Sequence, residues 1–254
     1  MFRRIPPLVL VLAQLSLATA GPALAQQETG ATSPIPLPEP RLDGPVSVEQ
    51  ALSQRRSIRR YATASLQLAD LGQLMWAAQG VTQPMEEPPP GFSWEWRGGM
   101  RTAPSAGALY PLELYAVIGD VEELEPGVYQ YLPAEHALAR VASPDPPPAS
   151  APDDRREALS GAALRQLAIR NAPTVLVLAG VVERTAAKYG DRAERYVHIE
   201  VGAAAQNVYL ECESLELGTV FIGAFDDEAV AGVLGLSGDE RVFGMMPIGH
   251  PPTD

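Results

Sequence analysis

The sequence predicts an α+β fold, in which strands and helices are not arranged as repeated strand–helix–strand units. No regular alternation of strand and helix runs along the chain, as a doubly wound parallel sheet would require. Two short strand patterns, 128–132 and 137–141, lie close enough in sequence to form a hairpin. The chain has 254 residues, of which 46% are hydrophobic, and this suffices for one domain with a substantial core.

Capping residues and apolar spacing predict the helices. The first, at about 47–55, begins at Ser47, which forms a capping box with Gln50. The second, at about 67–79, has apolar residues on one face and ends before Gly80. The other predicted helices lie at about 154–169, at about 191–217, and after Asp226, which would cap the last one.

Short apolar runs predict the strands. These runs are 112–118, 128–132, 137–141, 174–182, 219–222 and 242–248. The run 174–182 is almost uniformly apolar, as expected of a strand buried on both faces. Residues 81–103 contain Pro and Gly clusters and are predicted to be a loop.

The N-terminus has the three parts of an export signal. Arg3 and Arg4 supply the positive region, residues 8–17 a mostly apolar core, and Ala23-Leu24-Ala25 an A-x-A cleavage motif. We expect a signal peptide over 1–25, cleavage after Ala25 and a periplasmic mature protein. The paired arginines are compatible with twin-arginine export as well as with the general pathway. Residues 26–45 are rich in proline and small polar residues, which predicts a flexible lead-in to one domain over 46–254.

Composition argues against several classes of protein. The formal net charge is −12, whereas nucleic-acid binding rests on basic surface. The apolar core of the signal is too short to span a bilayer, so no stable membrane anchor is expected. Cys212 is the only cysteine, which excludes an intramolecular disulfide. The three histidines lie far apart without metal-ligand spacing, so no metal site is expected.

A cluster of arginines stands out in this acidic chain. Arg55-Arg56-Ser57-Ile58-Arg59-Arg60-Tyr61 places four guanidinium groups and a serine hydroxyl within six residues. Guanidinium groups match phosphate oxygens two at a time, so the cluster is suited to one compact anion. From these residues alone, a solvated basic patch is as good an interpretation as an anion-binding site.

Two segments of small residues could let backbone approach a flat ligand. Residues 104–111, Pro-Ser-Ala-Gly-Ala-Leu-Tyr-Pro, form a small-residue loop that leads into a predicted strand. Residues 221–225, Phe-Ile-Gly-Ala-Phe, form a turn before a helix N-terminus, where backbone N–H groups are exposed. Each segment taken alone is also compatible with an ordinary turn.

Lys188 is the only lysine in the chain, and Tyr189 and Gly190 follow it. A codon bias toward arginine is one explanation for this scarcity. A catalytic role is the other, because lysine can lose its proton and act as a base, whereas arginine stays charged. If Arg184 and Arg192 lie close to Lys188 in space, their positive charges would favour the neutral form of the Lys188 amine.

These motifs together resemble the nitroreductase-fold flavoproteins. Arg-Arg-Ser-Ile-Arg, Pro-Ser-Ala-Gly-Ala-Leu-Tyr-Pro, Lys-Tyr-Gly, the segment from Glu200 to Asn207 and Ile-Gly-Ala occur here in the order found in that family. The resemblance extends over about 46–251, and the Pro-Ser-Ala-Gly-Ala-Leu-Tyr-Pro segment is most similar to SagB-type dehydrogenases, which include azoline oxidases. It implies a mixed, mainly antiparallel sheet flanked by helices, and FMN bound at a homodimer interface.

The resemblance also implies roles for particular residues. The phosphate and ribityl chain of FMN would be held by Arg55, Arg56, Ser57 and Arg59. The isoalloxazine would be contacted by Pro104, Ser105, Ala106 and Gly107, and its N5 side by Gly223 and Ala224. Lys188 and Tyr189 would take a proton from a small-molecule substrate while hydride leaves for N5. For the opposite direction, in which the substrate is reduced, NAD(P)H is a candidate electron donor.

The chain departs from the family pattern near its C-terminus and in one insertion. Many family members place another basic residue against the phosphate, and only Arg241 and His250 are late candidates here. The insertion at 84–103 contains Trp94 and Trp96 and would form either a lid or a loop packed on its own surface. We therefore expect an exported FMN-dependent oxidoreductase. A non-catalytic flavin-binding protein and a flavin-fragmenting enzyme of the same fold are the alternatives.

Overall fold

A computed structural model describes the chain over 33–85, 87, 98–148, 150–236 and 238–252. The predicted signal peptide at 1–25 and the tryptophans Trp94 and Trp96 lie outside these residues.

Nine strands and seven helices are present in the described residues. The strands are β1 (Ile35–Pro36), β2 (Val81–Pro84), β3 (Gly99–Arg101), β4 (Leu112–Ile118), β5 (Gly127–Leu132), β6 (Ala137–Arg140), β7 (Thr174–Val181), β8 (Gly218–Thr219) and β9 (Glu240–Gly249). The helices are α1 (Val48–Gln54), α2 (Leu68–Gln79), α3 (Arg156–Ala162), α4 (Leu167–Asn171), α5 (Val182–Tyr189), α6 (Ala193–Ser214) and α7 (Asp227–Leu234).

Seven strands form the central sheet in the order β1-β6-β5-β4-β7-β9-β8, and β2 and β3 form a separate hairpin. Every pairing between these strands is antiparallel. Isolated parallel bridges join Ser57 to Thr219 and Leu66 to Val121. The predicted fold class, an α+β fold with a mainly antiparallel sheet between helices, is confirmed.

Alternating side chains divide the core between the two faces of this sheet. On one face, Leu114 and Leu176 pack in the cluster that includes the apolar sides of α2 and α6. On the other face, Val117 and Val175 pack in the cluster formed with α3, α4 and α7. The uniformly apolar β7 is buried because helices cover both faces, as its sequence predicts.

The register of the central strands defines two ends of the sheet. Leu112 of β4 pairs with Gly180 of β7, and Gly180 pairs with Arg241 of β9; we call this the lysine end, because α5 with Lys188 follows β7 there. At the other end, Ile248 of β9 pairs with Thr219 of β8. We call it the arginine end, because Ser57 bridges to Thr219.

One predicted helix is wrong in extent, and one helix was not predicted. The helix predicted at 154–169 is split into α3 and α4, because Leu164 and Arg165 adopt positive φ values of 58° and 59°, which a right-handed helix cannot include. The helix predicted at about 191–217 is present as α6, within three residues of its predicted bounds. It is preceded by α5, which the sequence did not predict because β7 runs into it without a turn residue.

Three other segments also differ from the predictions. Residues 81–103 were predicted to be a loop, yet their described ends form the β2–β3 hairpin. In the predicted flexible lead-in, Ile35 and Pro36 pair with β6, and the buried Leu37 joins the core. The strand predicted at 219–222 is reduced to β8, and Ile222 makes an isolated bridge to Met245.

Candidate functional site

The arginine segment, Arg55–Arg60, follows directly from α1. Ser47 caps this helix by accepting a hydrogen bond from the Gln50 N–H, and the Arg55 N–H closes the last turn on the Ala51 carbonyl. Arg56, Arg59 and Arg60 are exposed. The short helix therefore positions the predicted anion-binding residues at the protein surface.

Arg56 satisfies the carbonyl groups at the end of α1. Its Nη1 donates to the carbonyls of Ser53, Gln54 and Arg55 at 3.1, 3.2 and 2.8 Å. The last carbonyls of a helix lack partners within it and carry partial negative charge. Within the arginine segment, the guanidinium group of Arg56 is thus held at the C-terminal end of α1 by backbone carbonyls.

Tyr209 on α6 joins the arginine segment to the second small-residue turn. Its hydroxyl accepts a hydrogen bond from the Phe221 N–H at 2.7 Å and lies 3.3 Å from the Ser57 hydroxyl. Its ring centroid lies 5.0 Å from Cζ of Arg55, which places the guanidinium within cation–π range. One side chain therefore contacts two predicted phosphate-binding residues and the strand end that leads to Gly223.

Gly223 and Ala224 form an exposed turn anchored on both sides. Before the turn, Ile222 exchanges two backbone hydrogen bonds with Met245. After it, the Asp226 carboxylate accepts from the Ala229 N–H and caps α7. The Ala224 carbonyl itself accepts a hydrogen bond from the Gln166 amide. This turn and the arginine segment form the first group of predicted site residues.

The loop at 104–110 has an unusual backbone. Gly107, Ala108 and Tyr110 have φ values of 65°, 56° and 45°, which are unfavourable for residues other than glycine. Hydrogen bonds hold the loop in this form: the Tyr110 N–H donates to Ser105 Oγ at 2.9 Å, and the Ala106 N–H donates to Glu200 Oε1 at 2.8 Å. Strained backbone of this kind is concentrated at functional sites.

Lys188 and Tyr189 lie against this loop. A Cβ atom built at Gly107 would lie 2.9 Å from Lys188 Nζ and 3.0 Å from the Tyr189 hydroxyl. A larger residue would have to displace the ends of both side chains, and the φ of 65° also favours glycine at this position. The Tyr189 ring also packs edge-on against Tyr196, at a centroid distance of 4.9 Å. The predicted proton-transfer pair and the predicted flavin-side loop therefore form the second group.

Glu200 of α6 completes the second group. It is 4% exposed, and burial raises the pKa of its carboxyl, although the Ala106 N–H, the Ser105 hydroxyl and the Arg101 guanidinium each lower it. Glu200 Oε2 is buried and has no hydrogen-bond partner among the residues that the structure describes. A buried polar atom of this kind calls for an explanation.

The arginine segment and the second group lie at opposite ends of the sheet, and the Gly223–Ala224 turn lies between them, because Ile222 bridges to Met245 and Gly223 lines a cavity with Arg241. Ser57 bridges to Thr219, which pairs with Ile248, whereas Lys188 follows the strand end where Gly180 pairs with Arg241. Arg241 and Ile248 are seven residue steps apart along β9, which corresponds to roughly 23 Å. Within one chain, the structure brings the predicted site residues together as two groups and not as one.

The remaining candidates are placed as follows. Arg241 donates to Glu194 at 2.8 Å and lies at the lysine end, away from the arginine segment of its own chain. The His250 carbonyl accepts from the Ala62 N–H, so His250 is the late candidate on the side of the arginine segment. Arg184, predicted to act on Lys188, forms an ion pair with the buried Glu113 at 2.6 Å.

The sequence reasoning assigned no role to Glu200 or Tyr209. Glu200 occurs in phase with Val197, Val201 and Ala204, all of which are buried on α6. An acidic residue within the apolar face of a helix indicates a buried polar contact, so the sequence could have predicted a role for Glu200. Tyr209 carries no comparable signal, since its partners come from distant segments.

Comparison with known proteins then places the chain in a family. The Nitroreductase family model matches residues 52–250. The chain belongs to the nitroreductase family. A nitroreductase homologue of Methanocaldococcus jannaschii is 40% identical over 205 residues, which cover 81% of this chain and 91% of that protein.

Solved structures agree with this membership. A crystal structure of a nitroreductase homologue from Ralstonia eutropha aligns with a TM-score of 0.69 and 28% identity, covering 87% of this chain and 90% of the other. The NADPH:FMN oxidoreductase from Vibrio harveyi, complexed with NAD+, has a TM-score of 0.53 and 19% identity, covering 81% and 69%, and thus shares the fold. The protein is a nitroreductase-family oxidoreductase.

In the described part of the chain, no helix has the length and apolar character needed to cross a bilayer. Among the same residues, no group of three or more histidine, cysteine or acidic side chains is arranged to hold a metal ion.

Proposed function

We propose that this protein is an exported FMN-dependent oxidoreductase of the nitroreductase family, active as a homodimer on a small organic substrate. The observation that carries the proposal is the contact of Gly107 with Lys188 and Tyr189. It places a basic side chain and a phenol beside the small-residue loop that is predicted to lie along a flat ligand.

The residues at the two groups fit a flavin mononucleotide. Arg55, Arg56, Ser57 and Arg59 would hold its phosphate and ribityl chain, because guanidinium forks match phosphate oxygens. Gly223 and Ala224 would present backbone to the ring, and Pro104 through Gly107 would lie along it. FMN, when bound, supplies hydride transfer at N5.

A homodimer would bring the two groups into one site. In a two-fold symmetric dimer, a contact from one protomer to its partner is repeated in the reverse direction. The arginine segment of each chain can therefore meet the loop at 104–110 (the Gly107 loop) of the other chain, which gives two equivalent sites. Exposed apolar residues on α1 and α6, namely Val48, Leu52 and Ile199, provide surface for such an interface. This arrangement explains why each chain separates the predicted residues between two ends of its sheet.

Lys188 and Tyr189 would handle the proton of the reaction. With NAD(P)H as electron donor, the substrate is reduced and takes up a proton, which protonated Lys188 or the Tyr189 phenol can donate. In the opposite direction, oxidation of the substrate, Lys188 can accept the proton only as the neutral amine, and a separate electron acceptor is then required. The Lys-Tyr pair together with the Pro-Ser-Ala-Gly-Ala-Leu-Tyr-Pro loop supports a SagB-type dehydrogenase branch. NAD(P)H is the proposed electron donor, in keeping with the Vibrio harveyi oxidoreductase of the same fold.

The first experiment is an absorbance spectrum of the purified protein after incubation with FMN. We expect bound flavin with its two visible-region bands, bleached by NADPH under anaerobic conditions. A protein that binds no flavin would contradict the proposal. Lys188→Ala should retain FMN and slow turnover, and Lys188→Arg is the matched control, because it keeps the positive charge but cannot act as a base.

Export is tested separately by fractionation of cells that express the full chain. We propose cleavage after Ala25 and recovery of the mature protein in the periplasm. Replacing Arg3 and Arg4 with lysine should block export if a twin-arginine signal carries the folded flavoprotein. Unchanged export of that variant would instead assign the signal to the general pathway.

A further inference from the structure

A buried carboxyl group holds the strained loop that faces Lys188. Glu200 is in the middle of the long helix α6, is 4% exposed, and accepts the Ala106 N–H through Oε1 at 2.8 Å. Ala106 directly precedes Gly107, whose missing Cβ makes room for Lys188 Nζ and the Tyr189 hydroxyl. One hydrogen bond therefore links the rigid centre of α6 to the backbone beside the proposed proton-transfer pair.

The loop needs such a restraint. Positive φ values are unfavourable at Ala108 and Tyr110, whereas glycine readily adopts the φ of 65° at Gly107. Two other hydrogen bonds, from Tyr110 N–H to Ser105 Oγ and from Ala108 N–H to the Ser105 carbonyl, lie within the loop. The Tyr110 hydroxyl also accepts the Arg101 N–H at 3.3 Å. The bond to Glu200 connects the loop to a helix whose position is fixed by the core.

We propose that Glu200 is a positioning residue, whose Oε1 holds the Ala106–Gly107 backbone against Lys188 and Tyr189 in the geometry that the reaction requires. This inference rests on the proposed function for its effect on turnover, but its structural part stands on the contacts of one chain. The group acts through the reach of Oε1 to the Ala106 N–H, the contact by which it holds the loop backbone.

Two substitutions separate the effect of the length of the Glu200 side chain from the effect of its charge. Glu200→Gln keeps the side-chain length and an acceptor oxygen but removes the charge. Glu200→Asp keeps the charge but is one methylene shorter, so its oxygen cannot reach the Ala106 N–H without movement of α6. Thr174→Val is the matched control, because it deletes a buried hydrogen bond, 3.2 Å to the Val117 carbonyl, at the arginine end of the sheet.

Amide hydrogen exchange tests the structural part without flavin or substrate. In Glu200→Asp, exchange of the peptide spanning 103–110 should rise by about tenfold or more, because a local restraint has been lost. Glu200→Gln and Thr174→Val should leave that peptide as in the wild type. Equal exchange in Glu200→Asp and wild type would overturn the proposal, whether or not the protein binds FMN.

Turnover tests the positioning role. With NADPH and 4-nitrobenzoate as probe substrates, Glu200→Asp should keep its FMN and its KM values while kcat falls about ten- to a hundredfold, as a misplacement of about 1 Å can produce. Glu200→Gln should stay within about threefold of the wild type. An active Glu200→Asp with an inactive Glu200→Gln would assign the effect to charge and overturn the proposal, and so would loss of activity in both.

The two proposals fail in different ways. Absence of flavin or of turnover in the wild-type protein would contradict the proposed function, while the exchange experiment would still decide the role of Glu200. Normal flavin binding and turnover in Glu200→Asp would overturn the role of Glu200 and leave the proposed function intact.

Discussion

Gly107 shows at the scale of one residue why the small-residue loop cannot accept a larger side chain. It has a φ of 65°, and a Cβ atom there would lie 2.9 Å from Lys188 Nζ and 3.2 Å from Lys188 Cδ. Backbone conformation and packing therefore select the same residue. The sequence indicated a close backbone approach at this loop, and the neighbour that makes it necessary is Lys188.

The first prediction concerns Gly107→Ala. The added methyl group should displace Lys188, and the left-handed backbone should reduce the free energy of unfolding by about 1–2 kcal/mol. Chemical denaturation measures the loss, and turnover should fall with it. Gly232→Ala is the control, because no atom lies within 4 Å of its Cβ position and alanine is favoured over glycine within α7. An equal loss of stability in both variants would contradict the account of Gly107.

The second prediction concerns Tyr209→Phe. Removal of this hydroxyl leaves the Phe221 N–H without its acceptor and Ser57 without its neighbour, which should cost about 1 kcal/mol of unfolding free energy. The affinity for FMN, measured by fluorescence titration, should fall about tenfold because the arginine segment loses an anchor. Tyr129→Phe is the control: it loses a similar bond to the Glu125 carbonyl, and its FMN affinity should not change.

At the scale of elements, Arg156 ties the start of α3 to the residue two before β7 through a hydrogen bond, and it forms an ion pair with Asp154. Arg156 donates to both oxygens of Asp154 and, through Nη1, to the Ala172 carbonyl just before β7. Burial alone would raise the pKa of Asp154, but the hydrogen bonds and charge of Arg156 lower it below the usual value of 3.8. The folded state thus favours the ionised carboxylate.

The third prediction follows from the direction of this shift. A lowered pKa in the folded protein adds stability at pH values above the ordinary aspartate pKa and loses it as the pH falls through the lowered value. Asp154→Asn should therefore reduce the free energy of unfolding by about 1 kcal/mol at pH 7. The difference from the wild type should shrink as the pH falls from the ordinary aspartate pKa through the lowered pKa of the folded state. A difference that does not shrink on acidification below the ordinary aspartate pKa, measured by urea denaturation, would contradict this assignment.

Elements with strong local signals were predictable, and elements set by tertiary contacts were not. The capped helix α1 and the apolar strand β4 lie within one residue of their predicted bounds. The break between α3 and α4 depends on positive φ values at Leu164 and Arg165, two residues with no preference for that backbone. Helix α5 was missed because its sequence continues from β7 without a turn signal.

For the whole molecule, the candidate site was predictable as a set of residues but not as an arrangement in space. The motifs pointed to the arginine segment, the Gly107 loop and Lys188, and no signal in one sequence shows which of them share an end of the sheet. The structure places them at two ends, because β9 runs the full length of the sheet between them. Glu200, which links α6 to the loop, came from the structure.

The fourth prediction concerns this division between two protomers. If the arginine segment of one protomer and the Gly107 loop with Lys188 of the other build each site, then a mixed dimer can restore activity. One chain would carry Arg55→Ala with Arg59→Ala, and the other Lys188→Ala. In a symmetric dimer, one site of the mixed pair receives both defects, and the other receives none.

The most direct test is NADPH-dependent turnover by this mixed dimer, isolated through two different affinity tags after co-expression. Each parent variant alone should be nearly inactive. The mixed dimer should show about half of the wild-type activity per dimer, because one of its two sites is intact. A mixed dimer as inactive as its parents, with both chains folded and associated, would show that the two groups do not meet across protomers and would contradict the account.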